Sequence, residues 1–298
     1  MKIFVTGGTG LVGSAVVKAL IAQGHTPTTL ARSDASADIQ SAMGATPVRG
    51  SLTEPEHWVD EALAHDGIIH AAATFEHDMG DVDHKLISSL LDAAKDLPAD
   101  RKLPFLYTGG CWLYPEEPVI PITERHVLDP LPEFAWTLDS IEQLHASPNM
   151  LLTVIHPALV VAPGRGLIAD YARDLRENGK ITITGATDTH FPFIQADDLA
   201  DLYVRALDNR GDGLLLNATG IKSTTPEEVG KLVANKLGLP YEANVITLEE
   251  AQKRYGNWAS GFARSQRMEA DRAKDLLDWQ PSYDTIEAMV DNSLSKLD

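Results

Sequence analysis

The sequence predicts an α/β fold in which helices cover both faces of a doubly wound parallel sheet, with a smaller, mainly helical C-terminal lobe. Two observations lead to this prediction. Short apolar runs alternate with longer helical patterns through the first half of the chain, and a glycine-rich turn follows the first of these runs. Such alternation is typical of βαβ units, whose consecutive strands pair in parallel.

The individual elements follow in order from these patterns. Strands are predicted at residues 2–6, 28–31, 46–48, 67–71, 105–108 and 151–155. Apolar residues recur three and four positions apart at 11–23, 54–64, 82–97 and 134–146, which predicts helices there. We therefore expect residues 1–162 to form the sheet domain, with 192–217 returning to it.

A second lobe is expected after Pro163, where glycines punctuate a predicted helix at 168–177 and a strand at 181–184. Another helix is predicted to begin after Thr225, because Thr225, Pro226 and Glu228 form an N-cap, a first-turn proline and a capping box. We expect residues 163–191 and 218–298 to form this lobe, which is mainly helical in its last part.

Composition disfavours several classes of function. Among 298 residues, 43 acidic side chains against 25 basic ones give a formal charge of −18, which disfavours binding to nucleic acid or to anionic membranes. The single cysteine, Cys111, rules out an intrachain disulfide framework and fits a reducing, cytoplasmic location. No apolar run approaches the roughly 20 residues that span a bilayer, so neither an anchor nor a signal segment is expected.

The turn after the first strand carries the clearest chemical signal. In "FVTGGTGLVG", Gly7, Gly10 and Gly13 lie between a strand and an amphipathic helix. Glycines there permit a tight turn and close approach of the backbone to a pyrophosphate, which the helix N-terminus attracts. The pattern predicts a Rossmann-type dinucleotide site; the alternative is a merely close-packed turn.

The end of the second strand indicates which dinucleotide is preferred. NAD-selective folds place a carboxylate there to bind the ribose 2′-hydroxyl. This chain has Ala31 at that place, followed by Arg32 and Ser33. A guanidinium and a hydroxyl suit a 2′-phosphate, so NADP is predicted, although the nearby Asp34 leaves NAD open.

Together with "HAAA" at residues 70–73, these motifs resemble the extended short-chain dehydrogenase/reductase superfamily, in its NAD-dependent epimerase/dehydratase branch. The likeness continues in "VIHPALVVAPGRG", "HFPFIQADDLADLYVRAL" and "LLDWQP", with His156 where that family usually has Arg and Asp278 where it has Gly. The resemblance implies a dimer through the fourth and fifth helices. Together, the residue patterns and the resemblance predict cofactor contacts from Thr6, Gly7, Gly10, Leu11, Val12, Gly13, Arg32, Ser33, Ser51, Leu52, Ala71, Ala72, Ala73, Thr108, His156, Pro157, Ala158 and Leu159.

Catalysis in the resembled family implies a Tyr-x-x-x-Lys pair and a nearby serine or threonine. Alignment on Glu142 puts Phe134 at the tyrosine, Leu138 at the lysine and Gly110 at the serine. None of the seven tyrosines in the chain has a lysine four residues later. Tyrosine-based acid catalysis and the oxidation-rotation-reduction cycle of sugar epimerases are therefore not expected. Hydride transfer would need another proton source.

Candidate substitutes follow the fifth strand. Thr108 and Tyr114 are predicted to take part in catalysis; the alternative is that Thr108 bonds to backbone and Tyr114 packs in the core. Cys111 has no evident histidine partner, so it is not expected to be a nucleophile. The expected substrate pocket comprises Thr74, His77, Gly109, Gly110, Cys111, Trp112 and Trp136.

A cluster of potential metal ligands lies just before and within the predicted fourth helix. It contains His77, Asp78, Asp81, Asp83 and His84, but matches no familiar ligand spacing. Aspartates in the first turn of a helix suit its dipole, so helix capping is favoured and no metal is predicted.

These features predict an NADP(H)-dependent oxidoreductase that acts on a small carbonyl-type substrate without the Tyr/Lys acid. Two alternatives stay open. One is a non-catalytic dinucleotide-binding redox sensor or regulatory protein, and the other is a lyase or isomerase that uses its cofactor only structurally.

Overall fold

The computed structural model describes residues 1–75, 78–211 and 213–297. These residues form two compact units. The first comprises Met1–Gly109, Ala135–Ile155 and Ala200–Leu216, and the remaining described residues form the second.

The first unit is built on a seven-stranded sheet. Its strands are β1 (Lys2–Thr6), β2 (Thr26–Ala31), β3 (Thr46–Arg49), β4 (Gly67–His70), β5 (Leu103–Thr108), β7 (Met150–Pro157) and β11 (Leu214–Ala218). They lie in the order β11-β7-β5-β4-β1-β2-β3, and every pairing from β7 to β3 is parallel. The carboxyl ends of β1, β2, β4 and β5 therefore lie at one edge of the sheet, which confirms the predicted fold class.

Helices connect these strands: α1 (Leu11–Ala22), α2 (Asp34–Ala42), α3 (Val59–Leu63), α4 (Met79–Ala94), α5 (Trp136–Ala146) and α7 (Ala196–Asn209). The predicted helix at 54–64 is interrupted, because Trp58 leaves helical geometry and stacks on Phe4 with ring centroids 5.3 Å apart. The segment is divided into a 3₁₀ helix at Pro55–His57, before Trp58, and the α-helix α3 after it. The helix α2 was not predicted, because its small polar residues show little apolar periodicity.

The second unit contains three small sheets, ordered β12-β10-β8, β13-β9 and β14-β6. Their strands are β6 (Glu117–Ile122), β8 (Leu159–Val161), β9 (Ile181–Thr184), β10 (Phe191–Gln195), β12 (Ile221–Thr224), β13 (Ala243–Ile246) and β14 (Gln266–Met268). Its helices are α6 (Leu167–Asn178), α8 (Pro226–Leu237), α9 (Leu248–Tyr255), α10 (Asp271–Leu277) and α11 (Ile286–Leu294). No helix in the described part of the chain is long and apolar enough to cross a bilayer.

The predicted capping box of α8 is confirmed. The Thr225 hydroxyl accepts from the Glu228 N–H at 3.2 Å, and the Glu228 carboxylate accepts from the Thr225 N–H at 2.9 Å. The two bonds satisfy donors that the first turn of a helix leaves without intrahelical partners.

The compact units depart from the predicted lobe boundaries. Residues 110–134 and 156–162 lie in the second unit, as do 192–199, whereas 200–216 lie in the first. The physical reason is pairing: β6 runs beside β14, and the Gln266 amide donates to the carbonyl oxygens of Cys111 (2.8 Å) and Pro115 (3.0 Å). Likewise, β10 pairs with β8 and β12.

Candidate functional site

The turn between β1 and α1 has a shape that only glycine permits. Gly7 adopts a φ of +78°, and a Cβ at this position would lie 2.5 Å from the carbonyl oxygen of Ala71. A Cβ at Gly13 would lie 2.1 Å from the carbonyl oxygen of Gly7. Because real Cβ atoms do not approach so closely, a side chain at either position would push the turn open.

The start of α1 presents backbone donors beside this turn. The first helical bond runs from the Ser14 N–H to the carbonyl oxygen of Gly10 at 3.0 Å, so the N–H groups of Leu11, Val12 and Gly13 precede it. No acidic side chain lies in this first turn. The cradle of glycines and N–H groups therefore fits the pyrophosphate of a dinucleotide.

Two guanidinium groups belong to the adjoining ends of β2 and β3. Ala31 pairs in register with Arg49, whose guanidinium donates to the Ala31 carbonyl oxygen at 3.3 Å. Arg49 also lies 3.5 Å from the Asp34 carboxylate, and Arg32 is exposed one residue beyond Ala31. Sequence reasoning missed Arg49, although the register of two neighbouring parallel strands would have indicated it.

The Ser33 hydroxyl already has a structural role. It caps α2 by accepting from the Ser36 N–H at 3.2 Å, while the Ser36 hydroxyl accepts from the Ser33 N–H at 3.0 Å. This reciprocal capping box accounts for the start of a helix that the sequence pattern did not indicate. The Ser33 hydroxyl, a predicted cofactor contact, is therefore engaged in helix capping.

The remaining sequence-predicted cofactor residues of the first unit follow strand ends. Ser51 comes after β3, where its hydroxyl lies 2.8 Å from that of Thr53. Ala71 and Ala72 follow β4 and are half-buried, with the Ala71 carbonyl against Gly7. Because β1 to β4 are parallel, these strand ends lie at the same edge of the sheet as the glycine turn.

Thr108 ends β5 and is half-buried. Its Oγ1 lies 2.7 Å from the carbonyl oxygen of His70 and 2.6 Å from the hydroxyl of Tyr203. Because a carbonyl only accepts, the Thr108 hydroxyl donates to His70 and accepts from Tyr203. Burial raises the pKa of Tyr203, so this phenol keeps its proton near neutral pH. Sequence reasoning missed Tyr203, which lies 95 positions away.

In the second unit, the segment that follows β5 leaves space at one glycine. A Cβ on Gly110 would meet no atom within 4 Å, so the residue that stands at the family's serine position leaves open space. The next residue, Cys111, is buried, and burial raises the pKa of its thiol to about 12. A thiol with that pKa stays protonated near neutral pH, which disfavours nucleophilic catalysis.

Tyr114 is fully buried, and its hydroxyl donates to the Asn217 side chain at 2.8 Å. Burial and the nearby Glu124 carboxylate raise the pKa of Tyr114. Its ring packs against His156, with ring centroids 5.1 Å apart. The Tyr114 hydroxyl therefore has a hydrogen-bond partner already and is not exposed to solvent, which disfavours its predicted catalytic role.

His156 is completely buried at the end of β7. Its Nδ1 accepts from the Gly110 N–H at 3.3 Å, and its Nε2 has no partner among the described residues. Burial lowers the pKa of the His156 imidazole to about 4, so the ring is neutral near pH 7. It supports the turn at Gly110 and, being neutral, lacks the charge of the arginine that the resembled family usually has.

The predicted pocket aromatics belong to two different groups. Trp112 packs with Phe134, Trp258 and Phe262, at centroid distances of 5.8, 6.1 and 5.3 Å, in the second unit. Trp136 begins α5 in the first unit, where its ring approaches Gly80. The predicted pocket residue His77 lies outside the described residues. Within the described ranges, no group of three or more candidate ligands could hold a metal ion.

A cavity of about 310 Å³ lies within the second unit. Its lining combines aromatic and apolar side chains with three carboxylates and one guanidinium: Leu167, Tyr171, Ile183, Phe191, Tyr255, Trp258, Phe262, Asp170, Asp174, Glu177 and Arg173. Asp170 pairs with Arg173, and Asp174 accepts from the Thr182 N–H at 3.0 Å. The excess of negative charge disfavours an anionic ligand there.

Two relatives show the range of proteins to which this chain is similar. The chain is 22% identical to an uncharacterised protein of Schizosaccharomyces pombe over 96% of this chain and 97% of that protein. It is 28% identical, over 54% of its own length and 50% of the relative's, to the 4-hydroxy-2-methyl-3-oxo-4-farnesyl-3,4-dihydroquinoline-1-oxide ketoreductase of Stigmatella aurantiaca.

Solved structures of enzymes in complex with NAD share this fold. The crystal structure of dTDP-glucose 4,6-dehydratase from Bacillus anthracis in complex with NAD superposes with a TM-score of 0.81 at 19% identity, covering 98% of this chain and 95% of that one. The family model for the NAD dependent epimerase/dehydratase family matches residues 3–217. These matches support an oxidoreductase or epimerase type of enzyme in general. The chain belongs to the NAD dependent epimerase/dehydratase family.

Proposed function

We propose that the protein is an NADP(H)-dependent oxidoreductase that transfers hydride to or from a small carbonyl-type substrate without a Tyr/Lys acid. The observation that carries this proposal is the glycine cradle of the first unit together with Arg32 and Arg49 at the ends of β2 and β3. When bound, the dinucleotide would supply the hydride in the reducing direction and accept it in the oxidising direction.

The preference for NADP rests on charge. The carboxylate typical of NAD-selective sites is replaced by the apolar Ala31, and the nearby Asp34 carboxylate lies 3.5 Å from the Arg49 guanidinium. Guanidinium groups bind phosphate through paired, charge-assisted hydrogen bonds, so two of them favour a 2′-phosphate over a hydroxyl.

We assign to Thr108 the stabilisation of the substrate oxygen while it gains its proton. Reduction of a carbonyl adds a hydride to carbon and a proton to oxygen. Phe134 and Leu138, which stand where the resembled family has tyrosine and lysine, carry no transferable proton. In the structure the half-buried Thr108 hydroxyl donates its single proton to the His70 carbonyl and accepts from Tyr203. To stabilise a developing oxyanion it would turn that proton from the His70 carbonyl to the substrate oxygen while Tyr203 still donates to it, with the transferred proton itself drawn from water.

The proposed substrate is small, uncharged and at least partly aromatic. The cavity of the second unit supports this class, because aromatic rings and carboxylates line it and a phosphorylated compound would meet like charge. The relative named as a ketoreductase of a quinoline oxide, which matches about half of this chain, is in keeping with a neutral aromatic carbonyl compound.

The experiment follows NADPH and NADH consumption by absorbance against a panel of aldehydes, ketones, enones and imines. We expect turnover with NADPH on at least one aromatic member. Thr108→Val should lower kcat about 10²–10³-fold, the usual cost of removing one oxyanion donor. Tyr203→Phe should have a smaller effect in the same direction, because Thr108 keeps its hydroxyl but loses the donor that orients it.

Tyr114→Phe is the discriminating variant in this assay. The Tyr114 hydroxyl donates to Asn217, so its removal should lower the stability of the fold and leave kcat near that of the unmodified protein. Loss of turnover in Tyr114→Phe but not in Thr108→Val would transfer the role to Tyr114. Tight NADPH binding with no turnover of any compound on the panel would overturn the proposed enzymatic function and favour a non-catalytic redox sensor.

A further inference from the structure

A buried polar network crosses the first unit behind the glycine turn. The Asp83 carboxylate on α4 lies 2.8 Å from His70 Nε2, 3.0 Å from the Tyr107 hydroxyl and 2.7 Å from the Ser140 hydroxyl. On the other side of the imidazole ring, Nδ1 of His70 lies 2.7 Å from the Thr6 hydroxyl. None of these five residues exposes more than 6% of its surface.

The chemistry of the groups sets the direction of each hydrogen bond once His70 is taken as the neutral imidazole. A carboxylate only accepts, so the hydroxyls of Tyr107 and Ser140 and the Nε2–H of His70 all donate to Asp83. A neutral imidazole that carries its proton on Nε2 has a bare Nδ1, which must accept from the Thr6 hydroxyl. The Asp83 carboxylate thereby selects the tautomer of His70 and the orientation of Thr6.

The network meets the candidate site at three consecutive strand ends. Thr6 precedes Gly7 of the glycine turn, His70 precedes Ala71, and Tyr107 precedes Thr108. The segments that follow are in contact with one another: Gly7 packs on the Ala71 carbonyl, and the Thr108 hydroxyl donates to the His70 carbonyl. One side chain on α4 is thus connected to three of the strand ends that carry predicted cofactor residues, those of β1, β4 and β5.

Burial makes this arrangement sensitive to the loss of Asp83, the acceptor that the other members share. A buried carboxylate is unfavourable unless its oxygens accept hydrogen bonds, and the donors it orients lose their partner if it is removed. Burial and the Asp83 carboxylate also raise the pKa of Tyr107 well above its usual value, so this phenol remains a donor. An apolar core at the same place would hold the strands together but would not orient Thr6.

We propose that Asp83 is a positioning residue for the dinucleotide site, which holds the glycine turn in its binding shape through His70 and Thr6. The identity of the ligand rests on the proposed function; the effect on the turn does not. Asp83 would contact neither cofactor nor substrate, and would act only through the strand end at Thr6.

The test uses variants at both ends of the network. Thr6→Val keeps the side-chain shape and removes the hydroxyl, whereas Thr6→Ser keeps the hydroxyl. Asp83→Asn keeps the shape and removes the charge. Ser140→Ala is the matched control, because it removes one donor to Asp83 and leaves the connection from Asp83 through His70 to Thr6 intact.

Two quantities are measured on the full chain. One is the rate of amide hydrogen exchange of residues 7–13 in the ligand-free protein, and the other is the Kd for NADPH. In Thr6→Val and Asp83→Asn, we expect exchange about tenfold faster and a Kd about tenfold higher, the size expected for a lost buried hydrogen bond. Thr6→Ser should lie closer to the unmodified protein than Thr6→Val, and Ser140→Ala should change neither quantity more than about twofold.

Other results would overturn the proposal. If Ser140→Ala loosens the turn as much as Thr6→Val, the network contributes only to general stability. Unchanged exchange in both Thr6→Val and Asp83→Asn would contradict it directly. If Asp83→Asn fails to fold, the Thr6→Val and Thr6→Ser pair decides. Should the unmodified protein not bind NADPH, the proposed cofactor fails, whereas hydrogen exchange still tests the positioning role.

Discussion

Replacement of Gly13 by alanine is expected to abolish most dinucleotide binding. The new Cβ would lie 2.1 Å from the carbonyl oxygen of Gly7. The backbone fixes the positions of both atoms, so no side-chain rotation can relieve the clash. Overpacking of this kind costs about 1–3 kcal/mol. A loss of about 2 kcal/mol in binding corresponds to a roughly 30-fold higher Kd. Isothermal titration with NADPH measures the change.

Gly110→Ala is the control for this substitution, because its new Cβ would meet no atom within 4 Å and its φ of 178° is extended backbone. Circular dichroism should show both variants folded. NADPH binding by Gly13→Ala at the affinity of the unmodified protein would contradict the assignment of the glycine turn to the pyrophosphate.

Arg32→Ala and Arg49→Ala are expected to weaken the binding of NADPH and to leave that of NADH nearly unchanged. Each substitution removes a guanidinium and with it the charge-assisted hydrogen bonds to the 2′-phosphate. Such bonds contribute about 1.5–3 kcal/mol, so the Kd for NADPH should rise roughly 10-fold or more. We expect the larger effect from Arg32, because Arg49 already lies beside Asp34 and the Ala31 carbonyl. Fluorescence titration with both dinucleotides gives the two Kd values.

NADH serves as the internal control in these titrations because it lacks the 2′-phosphate. An equal loss of affinity for both dinucleotides would indicate a general disturbance of the strand ends. If neither arginine variant changed the ratio of the two affinities, the predicted recognition of the 2′-phosphate would be wrong.

Local patterns accounted for most of the fold. The run at residues 2–6, the glycine turn and the apolar spacing at 11–23 correspond to β1 and α1, and the capping residues at Thr225 and Glu228 predicted the start of α8. The helix α2 escaped detection, because Ser33 and Ser36 begin it through side-chain bonds and not through apolar periodicity. The break at Trp58 depends on stacking with Phe4, a residue 54 positions earlier in the sequence.

The candidate site was less accessible to sequence reasoning, because several of its members meet only through the register of the sheet. Arg49 reaches the end of β2 from the neighbouring strand, and Tyr203 reaches Thr108 from a helix much later in the chain. Asp83 looked like a helix-capping aspartate or a metal ligand. In the structure it is buried and accepts from three side chains of the first unit.

Phe134, which alignment on Glu142 puts at the family's tyrosine, lies among aromatic side chains. In the second unit its ring packs 5.8 Å from that of Trp112, within a group of half-buried aromatic residues. An aromatic surface binds an apolar or aromatic substrate by stacking and does not require a charged partner.

The most direct measurement of the central claim is the titration of the unmodified protein with NADPH and NADH. We predict that NADPH binds with a Kd at least about tenfold lower than that of NADH, a difference of about 1.4 kcal/mol. Equal or tighter binding of NADH, or binding of neither dinucleotide, would contradict the NADP(H)-dependent site inferred from the glycine turn, Arg32 and Arg49.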